Sequence, residues 1–150
     1  VKKIAEYVPL ETLLKECDVI TLHTNATEEN HHLIDAKAIE TMKPGAVIIN
    51  TARGKLIDSD ALIAGLESGK LGGAALDVLE NENGLYYYNR MGDVIPNPEL
   101  AALRSMPNVI LTDHTAFYTE EDVESMVRGV LESADAFAKG QPTRHDVTNL

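Results

Sequence analysis

The sequence is poor in cysteine and in basic residues, and these shortages exclude several classes of protein. Cys17 is the single cysteine, so no disulfide can form within the chain. The 24 Asp and Glu outnumber the 13 Lys and Arg, which gives a net charge of −11. Such a charge repels nucleic-acid phosphates and anionic lipid surfaces, so we expect neither nucleic acid nor a membrane as a partner.

Long apolar runs, a secretory leader and metal-ligand spacings are also missing from the sequence. No stretch is apolar over the length that a membrane span needs, and no segment has the pattern of a signal peptide. His31 and His32 are adjacent, so we expect their side chains to point in different directions, and they match no common zinc spacing. The sequence therefore predicts a cytoplasmic protein without a metal site.

Four short apolar runs predict the strands of a parallel sheet. They occupy residues 18–23, 46–50, 73–78 and 108–112. Each run is too short and too uniformly apolar for an amphipathic helix, and such runs suit strands that are buried on both faces. With 44% hydrophobic residues among 150, the chain is large enough for one domain with its own core.

Helical segments separate these strands. Asp35 and Asp58 are expected to cap two helices, which run to Met42 and to Gly69. The alternation of strand and helix requires right-handed crossovers between parallel strands. The sequence therefore predicts an α/β fold with part of a doubly wound, Rossmann-type parallel sheet.

A long loop and a long final helix follow the third strand. The loop covers residues 81–107 and is predicted to contain a short helix over 99–104. The three tyrosines at 86–88 are interpreted as residues that pack within this loop or contact another subunit. The final helix is predicted over 119–139, with Thr119 as its cap and an apolar stripe at helical spacing. The tail after this helix has no clear periodicity.

Polar side chains follow all four predicted strands. They are His23 and Thr24 at the end of the first strand, Thr51 and Arg53, with the small Ala52 between them, after the second, Asp77, Glu80 and Glu82 at and beyond the end of the third, and His114 and Thr115 after the fourth. Ligands of open parallel sheets bind beyond the carboxyl ends of the strands. This concentration of reactive groups therefore predicts a functional site at that edge.

Arg53 and His114 are the strongest candidates in this group. The Arg53 guanidinium offers a planar fork that suits a carboxylate or a keto acid, and the alternative is a surface salt bridge. His114 fits a general acid or base if a carboxylate orients its ring, and the alternative is a structural histidine. Glu82 and Asp77 are the two candidate carboxylates.

Residues 50–54, 72–82 and 112–119 resemble the matching segments of the D-2-hydroxyacid dehydrogenases. The likeness extends over nearly the whole chain in the family's order and spacing. It implies part of an NAD-dependent oxidoreductase that reduces a small 2-keto acid to the D-2-hydroxy acid. The tyrosine-rich loop and the pair Phe117 and Tyr118 are most similar to the D-lactate dehydrogenase branch. This similarity favours pyruvate as the substrate and implies that Phe117 and Tyr118 line the substrate pocket.

The resemblance also implies roles for individual residues. His114 is expected to be the general acid and base, Glu82 its carboxylate partner, and Arg53 the group that binds and polarises the keto acid. Asp77 is expected to contact the nicotinamide carboxamide. The residues expected to bind the cofactor are His23, Thr24, Thr51, Ala52, Arg53, Asp77, His114 and Ala116.

Part of the cofactor site that the family uses is missing from the sequence. No Gly-x-Gly-x-x-Gly turn is present to bind the pyrophosphate, and no acidic residue ends a preceding strand to select NAD over NADP. The chain also begins with Val1 rather than Met. We therefore expect a C-terminal part, in which residues 1–150 form an incomplete NAD-binding domain plus a C-terminal helix and tail, without a substrate domain. Such a chain is expected to be inactive alone.

Two other functions stay open at this point. The same fold serves in dinucleotide-sensing corepressors, which retain the same catalytic trio, so these residues do not separate the two classes. A non-catalytic fragment that takes part only in oligomerisation is the third interpretation. The family resemblance further implies a homodimer formed through the nucleotide domains.

Overall fold

The structure, a computed structural model, describes residues 5–143 of the chain. Its contacts divide the chain into two compact units, Val1–His114 and Thr115–Leu150. The first unit holds a four-stranded parallel sheet with its helices, and the second holds one long helix. The predicted α/β fold with a Rossmann-type parallel sheet and a long C-terminal helix is therefore confirmed.

The sheet contains four parallel strands in the order in which they occur along the chain. The strands are β1 (Val19–Leu22), β2 (Ala46–Asn50), β3 (Leu71–Leu76) and β4 (Val109–Leu111). Their last residues, Leu22, Asn50, Leu76 and Leu111, pair across the sheet as one row. The segments that leave the four strands therefore start side by side at one edge of the sheet.

Within residues 5–143, five helices and one short 3₁₀ turn precede, connect and follow the strands. They are α1 (Leu10–Glu16), α2 (Ala36–Thr41), the 3₁₀ turn Gly54–Leu56, α3 (Ser59–Glu67), α4 (Pro98–Ser105) and α5 (Glu120–Ala138). The predicted caps are present, because Asp35, Asp58 and Thr119 each accept a hydrogen bond from the backbone three residues on. The sequence analysis missed α1, which has seven residues and buries only Leu14.

The helices of the first unit lie on one face of the sheet. α1 to α4 contact one another in series, as expected when consecutive strands are joined by crossovers of one hand. Ile20 and Leu22 of β1 are buried under this layer, whereas Val19 is 54% exposed. The expectation that the strands are buried on both faces is therefore wrong for β1, and Ile110 in β4 is exposed as well.

The core of the first unit lies between this helix layer and the sheet. Its fully buried side chains come from all parts of that unit, and the largest are Ile34, Met42, Ile48, Leu56, Leu71 and Leu103. Ile34 also pairs with Ile57 through an isolated parallel bridge, which ties the segment before α2 to the segment before α3. Over residues 5–143, no helix combines the length and the apolar character that a membrane crossing requires.

Candidate active site

The loop after β2 is shaped by the buried side chain of Asn50. Its Oδ1 accepts a hydrogen bond from the backbone N–H of Ala52 at 3.0 Å, and its Nδ2 donates to the carbonyl of Arg53 at 2.9 Å. These bonds satisfy a polar group that is only 1% exposed. They hold the loop in a turn and leave the Arg53 side chain at the surface, where Nη1 donates to the Ala52 carbonyl at 2.6 Å.

An open cleft of about 220 Å³ lies between the exits of β1 and β2. Its lining consists of His23, Thr24, Asn25, Thr51, Ala52 and Arg53. The His23 ring also lies 2.9 Å from the Thr21 hydroxyl, which fixes it beside the strand end. The structure therefore brings five of the sequence-predicted cofactor residues around one cleft.

Glu82 and His114 form a hydrogen-bonded pair. Glu82 Oε1 lies 2.8 Å from His114 Nδ1, and both side chains are partly shielded, at 20% and 28% exposure. The second carboxylate oxygen, Oε2, accepts the backbone N–H of Leu79 at 2.9 Å. Both oxygens of Glu82 are therefore engaged, and the His114 ring has its Nδ1–H directed at a fixed carboxylate.

The backbone of His114 adopts a conformation that is rare for residues other than glycine. Its φ is +54°, in the left-handed region. The Tyr87 hydroxyl donates a hydrogen bond to the His114 carbonyl, and the two rings lie 6.1 Å apart. A strained backbone that is held by surrounding contacts is common at functional sites. Sequence reasoning missed Tyr87, although the tyrosine run was a visible signal.

Asp77 lies at the end of β3 and is almost completely buried. It accepts a hydrogen bond from the hydroxyl of Thr112, and its backbone N–H donates to the Asn50 carbonyl at 2.9 Å. Asp77 and Glu82 were both candidate partners of His114, and the structure places Glu82 at hydrogen-bond distance from the ring. Asp77 instead directly follows Leu76, the last residue of β3, and lies beside the exit of β2.

Tyr86 contributes a neutral phenol close to the carboxylates of Asp113 and Glu82. Burial, together with the negative charges of Asp113 and Glu82, raises the pKa of Tyr86 to about 12. The phenol therefore stays protonated at physiological pH. Its neighbour Tyr87 contacts His114, so two residues of the tyrosine run lie near the pair of Glu82 and His114.

Gly54 allows two functional segments to pack against each other directly. A Cβ atom on Gly54 would lie 2.0 Å from the carbonyl oxygen of Leu79 and 2.4 Å from the backbone nitrogen of Glu80. Only a residue without a side chain permits this approach of backbone to backbone. Arg53 and Glu82, three residues beyond Leu79, are therefore carried on segments in close contact.

We expect Gly54→Ala to destabilise the protein by about 3 kcal/mol, because the atoms that the new methyl group meets are backbone and cannot rotate away. Denaturation with urea, followed by circular dichroism, measures the change in free energy of unfolding. Gly92→Ala is the matched control. Gly92 has φ +86° but no atom within 4 Å of its Cβ position, so strain alone should cost about 1 kcal/mol. Equal losses in both variants would contradict the packing argument.

Ala116, Phe117 and Tyr118 belong to the second unit, which begins at Thr115. The rings of Phe117 and Tyr118 meet edge to face with their centroids 6.0 Å apart. Tyr118 is 74% exposed, so its phenol is open to solvent within this unit. Their assignment to the cofactor and substrate sites therefore stays a prediction.

The expectation that His31 and His32 point in different directions is wrong. Their rings stack with centroids 3.9 Å apart, and both face Glu80. The cause is the backbone of His32, whose φ of +52° turns the second ring back over the first. Burial alone would raise the pKa of Glu80, but hydrogen bonds from His32 and from Ser59 outweigh it and hold that pKa below its usual value.

Comparison with known proteins agrees with this architecture. Residues 1–116 match the family described as D-isomer specific 2-hydroxyacid dehydrogenase, NAD binding domain. An aromatic 2-oxoacid reductase of Clostridium sporogenes is 48% identical over 136 residues, which cover 91% of this chain and 41% of that protein. The chain thus spans less than half the length of this relative.

Solved structures give the same result. A D-lactate dehydrogenase of Treponema pallidum superposes with a TM-score of 0.91 at 41% identity, covering 95% of this chain and 43% of that one. A D-isomer specific 2-hydroxyacid dehydrogenase of Lactobacillus delbrueckii ssp. bulgaricus, solved in its NAD-complexed form, gives a TM-score of 0.84 at 38% identity, covering 92% and 42%. The chain therefore belongs to the D-isomer-specific 2-hydroxyacid dehydrogenase family and carries sequence of its NAD-binding domain.

Proposed function

We propose that the protein containing this chain is an NAD-dependent dehydrogenase that reduces a small 2-keto acid to the D-2-hydroxy acid, with pyruvate preferred. The observation that carries the proposal is the hydrogen-bonded pair of Glu82 and His114. This pair lies on the same edge of the sheet as Arg53. An imidazole oriented by a carboxylate suits proton transfer to a carbonyl oxygen, and a guanidinium suits binding of a carboxylate.

The cleft after β1 and β2 fits the nicotinamide end of the cofactor. Its hydroxyl and imidazole groups, from Thr24, Thr51 and His23, are donors and acceptors that suit a ribose, and the small side chain of Ala52 leaves room for a ring. The buried carboxylate of Asp77 is an acceptor suited to a carboxamide N–H. When bound there, the reduced cofactor supplies a hydride to the substrate carbon.

His114 supplies the proton in this proposal. Because its Nδ1–H is directed at Glu82, we assign the transferable proton to Nε2. Glu82 holds the ring in one orientation and stabilises the imidazolium until the proton moves to the substrate oxygen. In the reverse direction the neutral Nε2 accepts the proton from the hydroxy acid.

Arg53 binds the substrate in this proposal. Its guanidinium is exposed at the rim of the cleft and pairs there with the neighbouring Ala52 carbonyl. A 2-keto acid offers two carboxylate oxygens and a carbonyl oxygen, which suit the planar fork better than one peptide oxygen does. The positive charge also stabilises the negative charge that develops on the carbonyl oxygen.

We assign this activity to a polypeptide longer than the 150 residues of this sequence. The chain matches only 41% of the length of its reductase relative, and it holds no glycine-rich turn for the pyrophosphate. We therefore propose that residues 1–150 form an incomplete NAD-binding domain, which binds NAD weakly and is inactive alone. We further propose that the complete protein is a cytoplasmic homodimer.

Turnover of a substrate panel tests the proposal. The full-length protein should oxidise NADH with pyruvate and give D-lactate, with a lower kcat/KM for phenylpyruvate. The 150-residue chain should give no turnover. Absence of NADH oxidation with every 2-keto acid would contradict the function, and production of L-lactate would contradict the stereochemistry. A preference for phenylpyruvate would overturn only the choice of pyruvate.

A further inference from the structure

His31, His32 and Glu80 bring three metal-ligating side chains together outside the cleft described above. One ligand atom from each lies within 4.8 Å of the others, and no other group of three or more such side chains occurs in residues 5–143. Glu80 Oε1 lies 2.6 Å from His32 Nε2 and 3.9 Å from His31 Nε2. Imidazole and carboxylate are the ligand types that Zn²⁺ and its neighbours prefer.

The distances between these atoms are compatible with a shared ion. Ligand atoms about 2.1 Å from a tetrahedral ion are separated by about 3.4 Å. The two observed distances to Glu80 Oε1, 2.6 Å and 3.9 Å, lie on either side of that value. Shifts of less than about 1 Å in the ligand atoms would bring these two distances to that value.

The neighbouring groups orient the ligands as they do around known metal sites. Asp58 Oδ2 lies 3.6 Å from His32 Nδ1, so a second carboxylate faces the far side of the imidazole and favours Nε2 as the ligand atom. Asp58 is itself held by capping α3 through the N–H of Ala61. Glu80 Oε2 accepts the N–H of Ser59 at 3.4 Å, which leaves Oε1 directed at the two histidines.

The backbone around the cluster is held by hydrogen bonds, and the cluster is open on one side. The N–H of His32 donates to the carbonyl of Lys55 at 2.9 Å, beside the bridge between Ile34 and Ile57. His31 is 45% exposed, whereas Glu80 is 18% exposed. An ion can therefore enter past His31 and keep a water molecule as its fourth ligand.

We propose that His31, His32 and Glu80 bind one divalent transition-metal ion of the Zn²⁺ type. The ion replaces the hydrogen bond between His32 and Glu80 and links the segment before α2 to the segment that carries Glu82. None of the three ligands lines the cleft that contains Arg53, so we assign the ion a structural role and no part in the proposed hydride transfer. The proposal does not depend on the function proposed above.

Calorimetric titration of the untagged, metal-free full-length protein with ZnCl₂ tests this site. We expect one ion per chain, and no comparable binding of Mg²⁺, which prefers oxygen ligands. His31→Ala removes an exposed ligand and should weaken Zn²⁺ binding at least tenfold. Asp58→Asn keeps a residue that can cap α3 and should weaken it about tenfold, because it alters only the orientation of His32.

The controls distinguish this site from adventitious binding by histidine. His23→Ala removes a histidine outside this cluster and should leave Zn²⁺ affinity unchanged. Circular dichroism shows whether each variant is folded, and Zn²⁺ should raise the melting temperature of the parent protein more than that of His31→Ala. The proposal is overturned if the parent protein binds no stoichiometric Zn²⁺, or if folded His31→Ala binds it as tightly as the parent does.

Discussion

His114→Ala should lower kcat of the full-length enzyme for pyruvate by about a thousandfold, because a positioned general acid contributes on that order to catalysis. The affinity for NADH should change little, since most of the groups proposed to bind the cofactor lie on the exits of β1 and β2. Stopped-flow absorbance gives the rate of hydride transfer, and fluorescence titration gives NADH affinity. Added imidazole should restore part of the rate, which a purely structural histidine would not show.

Arg128→Gln is the control, because it replaces an exposed side chain of α5 that pairs only with Glu124 among the ion pairs of residues 5–143, and it should leave kcat unchanged. Glu82→Gln tests the pair from the other side. A glutamine has one acceptor oxygen, whereas both oxygens of Glu82 accept hydrogen bonds, from Leu79 and from His114. We expect kcat to fall with NADH affinity kept. If His114→Ala retained most of its turnover, the assignment of the acid would be wrong.

The convergence of the candidate residues on one edge of the sheet was predictable from the sequence because parallel strands share that edge. Each predicted strand was followed by polar residues, and the structure aligns the strand ends Leu22, Asn50, Leu76 and Leu111 in one row. Any side chain that follows this row must lie at the same edge of the sheet. Residues far apart in sequence are therefore placed together by topology alone.

The choice between Glu82 and Asp77 was not predictable in the same way. Asp77 follows β3 directly, so the strand itself places it at this edge of the sheet, where it is buried. Glu82 lies on the irregular segment beyond β3, and this segment bends back so that Leu79 N–H meets the Glu82 carboxylate. Its path also depends on the close approach of Gly54 to Leu79, a contact between distant segments that no local pattern reveals.

Backbone conformation explains the error about the two adjacent histidines. Neighbouring side chains diverge in extended or helical backbone. This divergence, the absence of a zinc spacing and the single cysteine together led to the expectation of no metal site. His32 instead has a positive φ, which is uncommon for residues other than glycine and has no sequence pattern of its own. The segment between β1 and α2 therefore positions its side chains in a way that hydrophobic periodicity in the sequence does not predict.

Arg53→Gln should lower kcat/KM for pyruvate by about a thousandfold if the proposed function is correct, because it removes the charged donor proposed to bind the substrate carboxylate and to stabilise the developing oxyanion. The side chain is exposed and donates within the residues described only to the Ala52 carbonyl, so the fold should not depend on it. Arg53→Lys keeps the charge but loses the planar fork, and we expect an intermediate rate. Steady-state kinetics with NADH near saturation measures all three enzymes.

A ketone without a carboxylate separates substrate binding by Arg53 from a general loss of structure. If the guanidinium binds the carboxylate of pyruvate, the parent enzyme and Arg53→Gln should differ far less in kcat/KM on such a ketone than on pyruvate. With the ketone, neither enzyme can form a contact between residue 53 and a substrate carboxylate. Arg128→Gln, an exposed residue of α5 that pairs with Glu124, is the matched control and should leave kcat/KM unchanged. Equal losses on both substrates would mean that Arg53 acts through the shape of the loop after β2, and the assignment of the carboxylate-binding group would have to be abandoned.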